Sequence, residues 1–220
     1  MGYGVRLLVC GDYACFTRPE MKGERVSYDV ITPSAARGIV EAVYWHPGLY
    51  WVVDKLMVLN EIRFDSVRRN ELGGKISESN AKRAMKGGDI DLHQVITEDR
   101  QQRATLLLRD VAYVIDAHFD LVQSKMAAGD NIGKFLDQFN RRARKGQCYN
   151  QPYLGCREFS AHFKLLEEDT PPPVSFYSDV ESRDLGWMLW DLEYGDTIEP
   201  KFFRAEMRRG VIDVAKAVTV

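Results

Sequence analysis

Thr32-Pro33-Ser34-Ala35-Ala36-Arg37-Gly38-Ile39-Val40-Glu41-Ala42-Val43-Tyr44-Trp45-His46-Pro47 reads as one well-marked helix between two extended segments. Thr32 suits the N-cap and Pro33 the first helical position. Pro47 and Gly48 stop the element. Ala36, Ile39, Val40 and Val43 recur at helical spacing and form a stripe that faces a core. Arg37, Glu41 and Tyr44 fall beside that stripe, at the boundary with solvent. That edge has two readings. One is an Arg–Glu pair with a half-buried Tyr. The other is a guanidinium and a phenol held on a rigid element, able to meet a phosphate and a labile proton.

The flanking segments supply the rest of a fold. Gly4 to Cys10 alternates as a first strand, and Phe16 to Tyr28 is a polar connection carrying Arg18, Lys22 and Arg25. Trp51 to Phe64 is a second extended run. Ser66 to Arg103 changes character: it holds Gly73-Gly74 and Gly87-Gly88, mixed charge and few large apolar residues. It is expected to be a long, mobile insertion with a short helix near Ala81 to Met85. Ala104 to Val122 suits one long strand or two short ones. Asp130 is expected to cap a second helix with the stripe Ile132, Phe135, Leu136, Phe139 and Ala143, and Gly146 ends it. Arg157 to Leu166 alternates as a further strand.

This order is that of an α+β, ferredoxin-like (RRM-like) βαββαβ domain. Pro171-Pro172-Pro173 marks a boundary, so residues 1–170 form that domain. Residues 171–220 form a small C-terminal antiparallel β-sheet subdomain, with strand-like pieces at Leu185 to Asp191, Lys201 to Met207 and Gly210 to Val214.

Composition narrows the class. The 220 residues carry a formal net charge of −2, so any nucleic-acid surface must come from local clustering of charge. No apolar run approaches the roughly 20 residues of a membrane span. No signal-peptide pattern opens the chain, and the expected location is the cytoplasm, with no membrane partner. The four cysteines then read as reduced thiols, and their spacing is not that of a zinc site. No metal or other cofactor is expected.

The densest basic and aromatic stretch is Arg141, Arg142, Arg144, Lys145, Tyr149, Tyr153 and Arg157, with no acid before Glu158. Cations beside stacking aromatics suit an RNA-tracking groove. The alternative is a helix C-terminus with charges that complement its dipole. Among the histidines, His46 ends the first helix. His118 lies in a strand that should neighbour the first, where it could meet Tyr44 across the sheet–helix edge. No P-loop, dinucleotide fingerprint or nucleophile elbow is present. RNA carries its own nucleophile in the 2′-hydroxyl, so an enzyme that cuts it needs an acid, a base and a cation.

Four segments together resemble a known family: Thr32 to Pro47; Arg109 to Phe119; Arg142 to Phe159, with Gln151-Pro152-Tyr153-Leu154-Gly155-Cys156-Arg157-Glu158-Phe159 at its core; and Phe203 to Val214. The chain resembles the CRISPR-associated fifth Cas family of the RAMP superfamily, in its catalytic subtype I-C form, along nearly the whole length. The resemblance implies a metal-independent endoribonuclease that cuts precursor CRISPR RNA at the repeat hairpin and leaves a 2′,3′-cyclic phosphate. It implies that the protein then stays on the 5′ handle of the guide RNA, in an interference complex with backbone and large subunits. A non-catalytic RNA-binding subunit is the alternative, and binding of double-stranded DNA would be additional to either.

The family's catalytic Tyr and His map onto Tyr44 and His118. Relatives carry a Lys beside that His, whereas Asp116 and Ala117 stand there in this chain. Arg37, His46 and Lys125 are candidates for catalytic support. Arg18, Lys22, Arg25 and the Arg141-to-Arg157 set are candidates for RNA contact.

Overall fold

The computed structural model describes residues 4–21, 23–195 and 197–219. Lys22 lies outside the described residues. The elements in chain order are β1 (Gly4–Ala14), β2 (Arg25–Val26), α1 (Pro33–Val43), β3 (Leu49–Val58), β4 (Phe64–Leu72), α2 (Glu78–Met85) and β5 (Arg100–Leu121). A 3-10 turn (Gln123–Lys125) follows, then α3 (Ile132–Arg144), β6 (His162–Leu165), β7 (Arg183–Tyr194), β8 (Ile198–Met207) and β9 (Val211–Asp213).

The main sheet is built on β5, which pairs antiparallel with β1 on one side and β3 on the other. β6 adds outside β1 and β9 outside β3, giving the order β6-β1-β5-β3-β9. The 22 residues of β5 are divided at Asp110, whose φ of 51 is left-handed and whose carbonyl accepts from Asn60 Nδ2 at 2.8 Å. Beyond that kink its first half pairs with β4, from Phe64↔Leu108 to Leu72↔Arg100.

Strand alternation sorts the faces of this sheet. Val5, Leu7, Val9, Ile115, Ala117 and Phe119 point to one side, into the main core shared with α1 and α3. Trp51 anchors that core, 5.2 Å from Phe119 and 4.9 Å from Phe139 between ring centroids. The intervening residues face the other way, where Leu8, Met57, Ala112 and Val114 pack with Leu59 and Leu166 in a small separate cluster.

Several expectations change. α1 ends at Val43, because Tyr44 is already extended (φ −151, ψ 121) and Pro47 disfavours helix at the residue before it. Asn131, not Asp130, caps α3, by accepting from Lys134 N at 2.9 Å. Asp130 instead closes the preceding turn, accepting from Ala127 N at 2.8 Å. The stretch 66–103, expected to be a mobile insertion, continues the β4–β5 ladder and contains α2. Both faces of that ladder are largely solvated, so no hydrophobic period betrays it in the sequence. Phe16 to Tyr28 gains a short parallel pairing of β2 with β5. The strand expected over Arg157 to Leu166 shortens to β6.

At the C-terminus, β7 and β8 form a two-stranded sheet. The third expected piece leaves it: Val211–Asp213 pairs with β3. Met188, Phe203, Ala205 and Met207 from the hairpin are buried in the main core.

Candidate active site

Tyr44 sits where α1 gives way to the turn into β3. Its ring is buried, 8% exposed, because Phe135 lies beneath it at 6.4 Å and the Arg142 guanidinium covers it at 5.3 Å. Its carbonyl accepts from Trp51 Nε1 at 2.9 Å, which fixes the backbone. Its hydroxyl makes no hydrogen bond among the described residues, so it is free to donate. Burial raises the phenol above its ordinary pKa, while Arg142 and Lys134 pull it down and Asp130 pushes it up. The phenol is therefore neutral at pH 7 and carries its proton.

The same corner gathers side chains from three segments. His46 packs against Phe135 with ring centroids 4.8 Å apart. His46 Nδ1 accepts from Gly48 N at 3.0 Å, which puts the proton of the neutral ring on Nε2. That Nε2 faces Asp130 Oδ2 at 3.7 Å. Asp130 Oδ1 accepts from Lys134 Nζ at 2.8 Å. The Lys134 and Ala127 hydrogen bonds hold the Asp130 carboxyl below the usual carboxylate range. Asp130 and Lys134 were missed by sequence reasoning: the i,i+4 pair is visible there, but nothing links it to a tyrosine some ninety residues earlier.

His118 stands elsewhere. It belongs to the face of β5 turned away from α1 and α3, level with Val52 of β3 and Gly4 of β1. Its Nδ1 lies 2.9 Å from both carboxylate oxygens of Asp54, which the bulge between Val53 and Lys55 pushes towards it. Its Nε2 is 4.0 Å from Asp120. Among the described residues no hydrogen bond, ion pair or ring contact joins Tyr44 to His118, and the period-two alternation of the strand turns His118 to the face away from α1. Of the neighbours that precede His118, Asp116 is paired with Arg6 at 2.6 Å and Ala117 faces the core.

Arg37 is bonded into the fold. It forms a bidentate pair with Asp191 of β7, lies 3.6 Å from Glu41, and donates to the Tyr50 hydroxyl at 2.8 Å. Burial raises the Glu41 carboxyl, with Arg37 opposing. Lys125 is exposed in the 3-10 turn, with no ion pair among the described residues.

The basic set divides in the same way. Arg18 lies over the Tyr28 ring at 4.5 Å and 3.5 Å from Asp29. Arg25 meets Glu71 at 3.3 Å and Glu158 at 3.6 Å. Arg144 is paired with Glu167 at 2.7 Å, Arg141 donates to Gln138 at 2.6 Å, and Arg142 donates to the Val43 carbonyl at 3.2 Å. Lys145 is the exposed C-cap of α3. Tyr149, Tyr153 and Arg157 come together with Trp45, Asn150 and Gln151 along one groove beside α1. A hydrogen bond from Tyr149 N to the Ala42 carbonyl at 2.7 Å closes the loop onto that helix. Trp45 is 58% and Tyr149 80% exposed, which leaves both rings open to stack on planar groups. Trp45 was inside the quoted helix segment but carried no role there.

A family model described as CRISPR-associated protein (Cas_Cas5) matches residues 4–215. The chain belongs to the Cas5 family of CRISPR-associated proteins. Within that family it is similar to the CRISPR pre-crRNA endoribonuclease Cas5d of Mannheimia succiniciproducens, at 57% identity over 97% of this chain and 96% of the relative. The protein of the same name from Thermus thermophilus is 37% identical over 96% of this chain and 90% of its own. A crystal structure of a CRISPR-associated protein superposes with a TM-score of 0.69 at 25% identity, covering 99% of this chain and 96% of that one. A functionally uncharacterized protein from Streptococcus mutans shares the fold at a TM-score of 0.68 and 22% identity, over 99% of this chain and 96% of its own. This Cas5 chain is thus of subtype I-C. Among its described residues no helix is long and apolar enough to cross a membrane.

Proposed function

We propose that the protein is an endoribonuclease that cuts precursor CRISPR RNA within the repeat. Attack by the RNA's own 2′-hydroxyl leaves a 2′,3′-cyclic phosphate and needs no metal ion. The protein then stays on the 5′ handle as a subunit of a type I-C interference complex, against its backbone and large subunits. The observation that carries this reading is the 57% identity, over 97% of the chain, to a relative named for this cleavage. The strand order supports a ferredoxin-like domain of the kind that binds RNA: the four strands of the βαββαβ unit lie fourth, first, third, second, as β6-β1-β5-β3.

Tyr44 and His118 are the acid/base candidates, and the groove of Trp45, Tyr149, Tyr153 and Arg157 is the candidate RNA track. Tyr44 has the stronger support: a neutral phenol with an unclaimed hydroxyl, beside cations. A second reading, an RNA-binding subunit without cleavage, draws on the residues before His118, which offer no cation. Binding of double-stranded DNA would add to either.

The test is incubation of the purified protein with end-labelled repeat RNA in EDTA. One product should end in a cyclic phosphate. Tyr44→Phe should abolish the cut and His118→Ala should slow it, with RNA still bound. Tight binding without any cut by the unaltered protein would leave the second reading standing.

A further inference from the structure

Cleavage by a 2′-hydroxyl gathers negative charge on the phosphate in the transition state, and a cation held at the non-bridging oxygens lowers that barrier. Three candidate cations, on α1 and α3, can be compared one by one. Arg37 is consumed by Asp191, Glu41 and Tyr50. Arg142 is spread over the Tyr44 ring and bonded to the Val43 carbonyl. Among the described residues Lys134 has a single ion-pair partner, Asp130, and its side chain is 49% exposed while that of Asp130 is 1% exposed. The carboxylate thus anchors the ammonium from below and leaves its other donors facing solvent.

We propose that Lys134 is the cation of the cleavage site, and that Asp130, steadied by His46, is the positioning residue that holds it beside the Tyr44 hydroxyl. This rests on the endoribonuclease reading and deepens it. The scissile phosphate lies between the Lys134 ammonium and the Tyr44 phenol. The 2′-hydroxyl gives up its proton to solvent hydroxide, forming water, its oxygen bonds to phosphorus, and the bond from phosphorus to the 5′-oxygen breaks. That leaving oxygen takes a proton, for which the Tyr44 phenol is placed, and the charge on the phosphate stays paired with Lys134 throughout. No oxidation or reduction is involved. His46 does not act as the base, because Nδ1 accepts from Gly48 and Nε2 is turned to Asp130.

The surroundings of Lys134 make the assignment testable through pH. The charged and titratable groups facing it are Asp130 from the preceding turn and Tyr44 from the end of α1, with Asp137 and Arg141 along its own helix. His46 and Arg142 lie behind Asp130 and Tyr44 respectively. Asp130 holds the Lys134 ammonium above its ordinary pKa. With the carboxylate removed, Lys134 should lose its proton at lower pH, and cleavage should fall off earlier on the alkaline side.

The experiment measures single-turnover cleavage of labelled repeat RNA by the full chain, from pH 6 to about pH 10.5, spanning the Lys range. Binding is measured in parallel on the same RNA with a 2′-deoxy residue at the cut, which cannot react. Lys134→Ala should slow cleavage about 100-fold while weakening 2′-deoxy RNA binding far less, by the loss of one phosphate contact, and Lys134→Arg should recover most of the rate. Asp130→Asn should move the alkaline limb of the pH–rate profile to lower pH, and most of that shift should vanish when Lys134→Arg is added, because only the Tyr44 phenol then still titrates. Cleavage by Lys134→Ala at the unaltered rate would overturn the assignment while leaving the enzyme intact. So would an alkaline limb unmoved in Asp130→Asn. Absence of any cut by the unaltered protein would overturn the endoribonuclease reading and this assignment together.

Discussion

Replacing Arg37 by Ala separates the two readings of the first helix. As a phosphate contact, Arg37 would cost RNA affinity and little stability. The structure makes it the tie between α1 and the β7–β8 hairpin. Both guanidinium ends bond Asp191, a third bond reaches the Tyr50 hydroxyl at 2.8 Å, and Glu41 lies 3.6 Å away. The side chains of Arg37 and Asp191 are only 21% and 19% exposed, so solvent screens the pair incompletely. Truncation removes the two bonds to Asp191, hands the 49% exposed Tyr50 hydroxyl to water, and leaves two carboxylates close together without a counter-charge. At about 1 kcal/mol for each lost bond, and about 1 more for the stranded carboxylates, the cost is about 3 kcal/mol. For a domain of this size that lowers Tm by roughly 6–12 °C. The assay is a thermal melt of Arg37→Ala, Asp191→Asn and the double variant, with repeat-RNA binding measured well below the lowest Tm. The double variant should melt close to Arg37→Ala, because both changes remove one interaction. A Tm drop of under about 2 °C together with a large loss of RNA affinity would refute the structural role.

Three further outcomes follow from local geometry. Tyr149→Ala should weaken binding of unpaired RNA by about 1–3 kcal/mol, read by fluorescence anisotropy, with Tm unchanged because the ring is 80% exposed. Gly155→Ala should destabilise strongly, read as a fall in urea midpoint: φ is +82, and the added carbon would lie 2.1 Å from the Cys15 carbonyl oxygen. The Cys156 thiol is lowered to about 6 by the Cys15 hydrogen bond and by Arg25, against burial, whereas Cys15 is pushed up. Because the thiolate forms as pH rises, iodoacetamide labelling of Cys156 should reach half its plateau near pH 6, and Arg25→Ala should move that midpoint upward. A midpoint unmoved in the variant would remove the guanidinium from the explanation.

Periodicity made parts of this protein legible before any coordinates. The stripe Ala36, Ile39, Val40, Val43 and the stripe Phe135, Phe139, Ala143 are the buried faces of α1 and α3, because a two-layer fold selects for them strongly. The β4–β5 ladder was hidden, since Asp65 to Leu72 is solvated on both faces and leaves no apolar rhythm. The site was half legible. Tyr44 stood out by its place beside a core stripe, whereas its neighbourhood with Asp130 and Lys134 arises from packing through Phe135.

Local chemistry in the chain was enough to determine the two helices, the strands β1 and β3 and the run that becomes β5, and the cluster of cations and aromatics after α3. Caps, periods and charge runs act within a few residues of one another, so the sequence alone carries them. Which residues meet was decided only in three dimensions. One residue of strand alternation sends Ala117 into the core and turns His118 to the opposite face. A bidentate bond from a residue 154 positions away turns Arg37 from a free cation into a tie. A turn before α3 brings Asp130 and Lys134 to Tyr44. Such contacts depend on register and on long-range closure, which no local spacing encodes.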